Sequence, residues 1–157
     1  WQLLFGAGAP NLNGIMPTAQ AYDRTTVGDT KLDVLRRART QVRLQEAVAS
    51  FAVLSPADWE DIELAKGTDD RYVWVNVNDG GVERLWRMPI VDTTAMPEGS
   101  WLVGDSSYAQ IFDRQDATIE IFEQDEDNVQ KNMVTVRVEE RLALVKYRPT
   151  AFVKGTY

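Results

Sequence analysis

The sequence predicts an α+β fold with helices in its first part and strands in its second. Apolar residues recur at spacings of three and four up to about residue 66, which is a helical period. From about residue 71 the period changes to two, which is typical of strands. Hydrophobic residues make up 44% of the 157 positions. The chain can therefore form the core of one ordinary domain, or of two small lobes that share it.

The chain starts with an apolar segment and a loop. Residues 1–5 are predicted to be the end of a helix whose beginning is absent, so we expect the chain to be a fragment of a longer polypeptide. Residues 6–14 are rich in Gly, Pro and Asn, which predicts a loop. Gly6 and Gly8 could suggest a phosphate-binding loop, but no strand precedes them and no Lys-Ser/Thr pair follows. A helix end is therefore favoured.

A long amphipathic helix comes next. Asp29 or Thr30 can cap it, and we expect it to run to about Ser50. Spacings of three and four give it one apolar stripe. The stripe consists of Val34, Leu35, Ala38 and Val42.

A short strand and a second helix follow. Residues 51–54 are a continuous apolar run that predicts a buried strand. Ser55 then provides an N-cap, Pro56 the first helical position and Asp58 an acid at the third. This helix is predicted to reach about Lys66, and its apolar residues are Trp59, Ile62 and Leu64.

The second half predicts a series of strands. They cover residues 71–75, 85–91, 101–105, 108–113, 117–122, 133–147 and 151–153. Residues 78–81, Asn-Asp-Gly-Gly, form a hairpin-type turn, and Pro89 indicates a sheet edge or a bulge. Residues 125–132 predict a short acidic helix or turn, and the acidic stretch 123–127 is a plausible join between two lobes.

Composition excludes several classes of function. The chain has no cysteine, which excludes disulfides and thiolate chemistry, and no histidine, the commonest general base and transition-metal ligand. No apolar run is long enough to span a membrane, and no signal-peptide pattern is present. We therefore expect no enzyme, no cofactor, no metal site and no membrane association.

Charge argues against a nucleic-acid binder. The formal net charge is −7, whereas phosphate binding requires a basic face. Basic residues cluster once, on the first long helix, where a solvated helix face is the favoured interpretation. This cluster consists of Arg36, Arg37, Arg39 and Arg43.

Short motifs along the whole chain occur in a recognisable order. In the final third they are Asp113-Arg114-Gln115-Asp116-Ala117-Thr118, Asp127-Asn128-Val129-Gln130-Lys131-Asn132, Glu139-Glu140-Arg141-Leu142-Ala143-Leu144, Tyr147-Arg148-Pro149-Thr150-Ala151 and Lys154-Gly155-Thr156. Upstream they are Asn11-Leu12-Asn13-Gly14-Ile15, Pro56-Ala57-Asp58-Trp59, Asp70-Arg71-Tyr72 and Leu85-Trp86-Arg87-Met88-Pro89-Ile90-Val91. This series resembles the C-terminal portion of tailed-bacteriophage major capsid proteins of the Hong Kong 97 type. Asp70 and Arg87 depart from the family's pattern, which has glycine at both positions.

The resemblance implies a capsid fold fragment. Residues 7–120 would form the axial A domain, with a mixed sheet and flanking helices. Residues 1–6 and 121–157 would belong to the peripheral P domain, with its long antiparallel strands. The N-terminal arm, the extended loop and most of the spine helix of such proteins would lie upstream.

The resemblance also implies function and partners. The chain would belong to a structural subunit of an icosahedral phage or prophage head that self-assembles into pentamers and hexamers around double-stranded DNA. Portal, scaffold or decoration proteins could be further partners, and the DNA would be enclosed without specific binding. The protein would be located in the virion after assembly in the cytoplasm of the bacterial host. An acidic shell would repel the packaged DNA and keep it from adhering.

Some members of the family crosslink their shell by isopeptide bonds, and the resemblance places two of the residues. Asn132 would be the acceptor and Glu139 the assisting base, with the lysine on the upstream extended loop. On one continuous strand the two would be roughly 23 Å apart and on opposite faces, so they would have to act from different subunits. Alternatively, Asn132 only ends the short helix, and Glu139 or Glu140 pairs with Arg137 or Arg141 on the sheet surface.

Two other functions remain open from the sequence. An encapsulin-like nanocompartment shell would use the same fold. A small hydrolase could use the carboxylates Asp113, Asp116 and Glu120, but it would lack a histidine and a nucleophile elbow.

The tryptophans have two interpretations as well. Most of them stand among apolar neighbours and are predicted to be core residues, although one or two could face adjacent subunits. The residues concerned are Trp59, Trp74, Trp86 and Trp101.

Overall fold

The computed structural model describes residues 1–9, 11–67, 72, 83–123 and 128–157. Its helices are α1 (Gln2–Phe5), α2 (Ile15–Thr18), α3 (Lys31–Leu44), α4 (Pro56–Glu63) and α5 (Asn128–Lys131). Its strands are β1 (Gln20–Ala21), β2 (Phe51–Leu54), β3 (Arg84–Leu85), β4 (Met88–Asp92), β5 (Ser100–Gly104), β6 (Ala109–Phe122), β7 (Thr135–Lys146) and β8 (Phe152–Thr156). Short 3₁₀ turns span Ser106–Tyr108 and Pro149–Ala151.

Six strands form a mixed sheet, which confirms the α+β fold class. The strand order is β1-β8-β5-β2-β4-β3, and β5 is antiparallel to both of its neighbours. The pairs β1–β8 and β2–β4 are parallel. Helix α3 packs on β5 and β8, so the apolar stripe of the helix meets the centre of the sheet. The largest fully buried side chains include Trp101, Phe152, Leu35, Leu54 and Ile62.

Helix α3 begins where the sequence predicts and ends earlier. Thr30 and Asp33 form a reciprocal capping box at its start. The helix stops at Leu44 and not near Ser50, because Glu46 has a left-handed backbone with φ of 58°. Residues beyond Leu44 cannot continue the right-handed helix through that position. The predicted apolar stripe of α3 is confirmed as buried.

Helix α4 also starts as predicted. The Ser55 hydroxyl accepts the amide N–H of Asp58, and Pro56 occupies the first turn. The helix ends at Glu63, which is shorter than the predicted Lys66, and Leu64 is left exposed. The strand predicted for residues 51–54 is confirmed.

The predicted strand 85–91 is instead a tight hairpin between β3 and β4. Trp86 and Arg87 have positive φ values of 52° and 68°, so they form the two-residue loop. The register pairs Arg84 with Pro89. The core prediction for Trp86 is wrong: this side chain is 41% exposed at the loop, and its indole N–H donates to the Leu32 carbonyl at 3.1 Å.

The other tryptophan predictions have separate outcomes. Trp59 and Trp101 are buried as predicted, while Trp74 lies outside the described residues. The predicted strand 71–75 and turn 78–81 also lie outside them, except that Tyr72 forms an isolated bridge with Lys66.

The predicted strands 108–113 and 117–122 are one long strand, β6, with register irregularities between Asp113 and Thr118. It pairs antiparallel with β7, which lies within the predicted strand 133–147. The two strands form a separate two-stranded ribbon. The final strand is β8, and it returns to the six-stranded sheet between β1 and β5.

Across the described ranges, no helix has the length and apolar character needed to cross a membrane. Within the same ranges, no three His, Cys, Asp or Glu side chains are grouped so as to hold a metal ion.

Candidate assembly surface

The outer half of the β6–β7 ribbon carries an exposed apolar face. Ile119 lies opposite Val138, and Ile121 lies opposite Val136. Opposed residues and residues two apart point to the same side, so these four side chains share one face. They are 69%, 64%, 66% and 59% exposed, respectively. We call this set the apolar ribbon face.

The reverse side of the same segment is polar. Glu120 accepts a hydrogen bond from its cross-strand partner Arg137, and Glu139 lies 3.6 Å from the same guanidinium. Arg137 also stacks over the Phe122 ring at 5.2 Å. Exposed ion pairs of this kind contribute about 0–1 kcal/mol each. The ribbon is therefore amphipathic, and the larger part of its apolar side remains exposed in the described structure.

The base of the ribbon is fixed to the rest of the fold. Lys146 donates from Nζ to the carbonyl oxygens of Asn13 (3.1 Å) and Gly14 (2.9 Å), and burial lowers the pKa of this amine. The Tyr147 amide donates to the Tyr108 carbonyl at 2.9 Å. The ribbon therefore projects from a base that hydrogen bonds attach to the rest of the fold.

Asn132 and Glu139 occupy different kinds of position. Asn132 directly follows α5, is exposed, and has a φ of 52°, a left-handed conformation that Asn tolerates at helix ends. The prediction that it ends the short helix is confirmed. Because β7 begins only at Thr135, Asn132 and Glu139 do not share a continuous strand, which agrees with the prediction of a helix or turn up to Asn132. Glu139 lies on β7 and pairs in register with Thr118.

The carboxylates Asp113, Asp116 and Glu120 are spread along β6, and all three are exposed. Asp113 accepts the Gln115 amide N–H at 3.0 Å, and Glu120 is paired with Arg137. They face water along an extended strand and do not converge in a cleft. This is the arrangement of surface carboxylates, and it gives the hydrolase alternative no support.

Comparison with known proteins identifies the family. The model of the phage capsid family matches residues 2–157. The chain belongs to the phage capsid family. Over 160 residues it is 43% identical to the major capsid protein of Enterobacteria phage HK97, a match that covers 99% of this chain and 42% of that protein. The chain therefore spans less than half the length of this capsid relative.

Solved structures from a phage and from a GTA capsid share the fold. A Microbacterium phage Oxtober96 chain superposes with a TM-score of 0.78 at 17% identity, covering 98% of this chain and 59% of that one. The capsid of an empty GTA particle gives 0.75 at 15% identity, covering 99% and 59%. At such low identity these likenesses concern the fold alone. The resemblance to the capsid family and the capsid-type α+β fold predicted from the sequence are confirmed.

The apolar ribbon face was missed by sequence reasoning about this capsid-family chain. Its signal was present, because residues 118–121 and 135–138 alternate between polar and apolar. Alternation predicts that one face of a strand is apolar, but the default expectation is that this face lies against the core of the same chain. Only the structure shows that the face is exposed.

Proposed function

We propose that this chain is part of a structural subunit of an icosahedral phage head that self-assembles through capsomer contacts and encloses double-stranded DNA. The apolar ribbon face is the observation that carries the proposal. A two-stranded ribbon is at best marginally stable alone, and a contiguous exposed apolar surface marks a contact site. Membership in the phage capsid family makes other subunits of the same shell the natural partners.

The two expected lobes are part of the proposal, and the separation of the six-stranded sheet from the β6–β7 ribbon supports them. Residues 7–120 supply most of the axial lobe, which contains the six-stranded sheet. Residues 1–6 and 121–157 contribute to the peripheral lobe, with β8 crossing back as a strand of the axial sheet. The ribbon joins the lobes, because β6 leaves the sheet region at Ala109 and continues to Phe122.

Other features of the proposal concern the surroundings of the shell. Portal, scaffold and decoration proteins are further partners, and assembly takes place in the cytoplasm of the bacterial host. The net charge of −7 supports enclosure of DNA without specific binding, because an acidic surface repels a polyanion. A phage head is favoured over an encapsulin-like compartment, since the relative at 43% identity is a phage major capsid protein.

Substitutions on the ribbon test the assembly function. Ile121→Lys places a charge on the apolar ribbon face and is expected to abolish or strongly reduce particle formation, measured by sedimentation velocity and negative-stain microscopy. Thr118→Lys on the polar side is the matched control and should assemble normally. Circular dichroism should show both variants folded. Normal particles from Ile121→Lys would remove the ribbon from the assembly mechanism.

Isopeptide crosslinking is a second part of the proposal. A neutral lysine amine of another subunit would attack Cγ of Asn132, forming a secondary amide and releasing ammonia. Glu139, on a neighbouring subunit, would accept the proton that the amine loses and return it to the departing nitrogen. The exposed position of Asn132 supports access by such an amine, whereas Glu139 would first have to leave its contact with Arg137 at 3.6 Å.

Boiled particles on a denaturing gel test the crosslink. Unaltered particles should give ladders of linked subunits, and Asn132→Asp should give single subunits. Asn132→Gly is a useful companion, because it keeps the left-handed backbone and removes the carboxamide. Ladders that survive both substitutions would show that Asn132 only ends helix α5.

A further inference from the structure

A groove lined by arginines runs beside helix α3. It has a volume of 520 Å³ and is bordered by one face of α3 and by the segment that leads into β2. Its lining residues are Arg36, Arg39, Thr40, Arg43, Val48 and Ala49. The arginines stand three and four positions apart, so they share one face of the helix. The segment opposite is held in place because the Val48 amide donates to Asp105 at 2.9 Å.

The groove arginines carry positive charge that no carboxylate of the described residues neutralises. Arg37, on the neighbouring side of α3, pairs with Asp29 at 3.2 Å. No ion pair joins Arg36, Arg39 or Arg43 to any carboxylate of the described ranges, and the Arg36 guanidinium donates to the Thr40 hydroxyl at 2.8 Å. Like charges at this spacing destabilise a helix by a few tenths of a kcal/mol per pair. An anionic partner would relieve this repulsion.

A complementary acidic set lies at the β3 edge of the sheet. Glu63 ends α4, Glu83 precedes β3 and Asp92 ends β4, and all three are exposed. Glu83 lies beside β4 in the hairpin, because its carbonyl accepts the Ile90 amide at 2.9 Å, two positions before Asp92. Partial burial and the negative charges of Glu63 and Asp92 raise the pKa of Glu83, and a hydrogen bond from Trp59 opposes this rise. We call this set the acidic edge. It is anchored on different elements from the groove, and no described ion pair links the two.

We propose that the arginine groove of one copy of this chain binds the acidic edge of a second copy. The inference rests on the proposed assembly function and specifies one of its contacts. Guanidinium groups suit this role because they bind carboxylates through two parallel hydrogen bonds. Since the two surfaces differ, the contact is head-to-tail, and such contacts close into rings when the rotation between copies permits.

A second copy is favoured over nucleic acid as the occupant. Phosphate-backbone binding depends on a basic face, and the net charge of −7 repels a polyanion at a distance. A second copy also carries a net charge of −7, but it is repelled less than duplex DNA, which has one negative charge for about every 1.7 Å of its length. The apolar side chains of Val48 and Ala49 also give the groove a wall suited to a protein surface.

Because the natural chain has no cysteine, site-specific disulfide trapping can test the contact. Val48→Cys labels the groove and Leu64→Cys labels the acidic edge, and both substitutions keep every charge. Mixed under mild oxidation, these variants should form a mixed disulfide at least about tenfold faster than a control pair, the lower end of what charge steering provides. The control pairs Val48→Cys with Val27→Cys, which is fully exposed elsewhere. The faster trapping of the test pair should disappear in about 1 M salt, where the electrostatic screening length is only about 3 Å.

Charge reversal provides the second arm. Arg39→Glu with Arg43→Glu in the groove-labelled chain should reduce trapping to the control rate, and Glu63→Lys with Asp92→Lys in the other chain should restore it. Equal trapping of the test and control pairs at low salt would overturn the inference. Binding of duplex DNA, measured by fluorescence anisotropy and lost with the arginine reversals, would also overturn it by assigning the groove to nucleic acid.

Sedimentation of the unaltered chain separates this inference from the assembly function. If the chain self-associates but trapping equals the control, the groove contact is rejected and the assembly function stands. If the chain neither self-associates nor traps above the control, both are rejected.

Discussion

Lys31 Nζ lies 2.7 Å from Asp58 Oδ1 and joins the first turns of α3 and α4. The second oxygen of Asp58 accepts hydrogen bonds from the Ser55 hydroxyl at 2.9 Å and from the Gly99 amide at 2.8 Å. Asp58 is buried, whereas the Lys31 side chain keeps 29% of its exposure, so these bonds are partly shielded from bulk water. A single carboxylate therefore links two helices to the loop that leads into β5.

We expect Asp58→Asn to destabilise the fold by about 2–4 kcal/mol, because it removes the charge that pairs with Lys31 in a buried position. Urea denaturation followed by circular dichroism measures this. Asp61→Asn is the matched control: Asp61 also binds Lys31, at 2.6 Å, but is largely exposed. The control should lose less than about 1 kcal/mol. Equal losses in the two variants would contradict a special role for the buried carboxylate.

The same carboxylate predicts an acid-dependent loss of stability. Burial alone would raise the pKa of Asp58, but hydrogen bonds from Lys31, Gly99 and Ser55 outweigh it and hold the pKa below its ordinary value. The folded state then binds this proton less readily than the unfolded state. Asp58 therefore contributes stability above the unfolded-state pKa of about 4, and this contribution is lost as pH falls through the folded-state pKa.

This expectation is checked by measuring the free energy of unfolding from about pH 6 to about pH 2, the range over which carboxylates become protonated. The decline should be shallower in Asp58→Asn than in the unaltered chain. The pKa values of Asp33 and Asp105 are also lowered. Both residues are present in the variant and in the unaltered chain, so their contributions to the pH dependence cancel when the two curves are subtracted. Parallel curves would show that Asp58 does not contribute to acid sensitivity.

Gly104 is required by close packing at the end of β5. A Cβ atom at this position would lie 2.4 Å from Cδ1 of the buried Phe152 ring on β8. We expect Gly104→Ala to cost about 1–3 kcal/mol, because the ring must move within a packed core. Thermal and urea denaturation provide the measurement.

Gly28→Ala is the comparison for this prediction. No atom lies within 4 Å of a Cβ at Gly28, although its φ of 87° makes alanine strained there. The cost should be about 1 kcal/mol, from the backbone alone. If Gly104→Ala costs no more than Gly28→Ala, the ring at Phe152 is less constrained than the packing indicates.

Ser55 provides the N-cap of α4 from a buried position. Its hydroxyl accepts the Asp58 N–H at 3.1 Å and donates to the Asp58 carboxylate. Ser55→Ala should therefore destabilise by about 1–2 kcal/mol. Thr94→Ala, in an exposed turn, should change the free energy of unfolding by less than about 0.5 kcal/mol. A neutral Ser55→Ala would mean that another group caps the helix.

Local signals explain what could be predicted. The starts of α3 and α4 depend on Thr30 with Asp33 and on Ser55 with Asp58, contacts between residues three apart that are visible in the sequence. The end of α3 was predicted too late, because the left-handed conformation of Glu46 is not a preference of that residue type. It occurs in the segment between α3 and β2, where the Glu46 amide donates to the Arg43 carbonyl at 3.0 Å.

For the candidate surfaces, too, the local pattern could be predicted from the sequence, whereas the tertiary environment could not. The alternation that makes the outer ribbon amphipathic is in the sequence, but the partner of each face is not. The arginines of α3 were predicted to be a solvated helix face, and the groove exists only because residues 48 and 49 return beside the helix. Asn132 was correctly predicted to end a helix, and the predicted strand that carries Glu139 begins two residues later than expected, at Thr135.

The sequence by itself determined the fold class, the helix starts, the strand β2 and the family, because these depend on short-range contacts or on motif order. Only the tertiary structure decided that β8 inserts between β1 and β5, that Trp86 sits in an exposed hairpin loop, and that Ile119 and Val138 face outward. The physical reason is the distance along the chain over which each kind of interaction acts. Caps and periodicity act over a few residues, whereas strand order and burial are set by pairings between residues far apart in the chain.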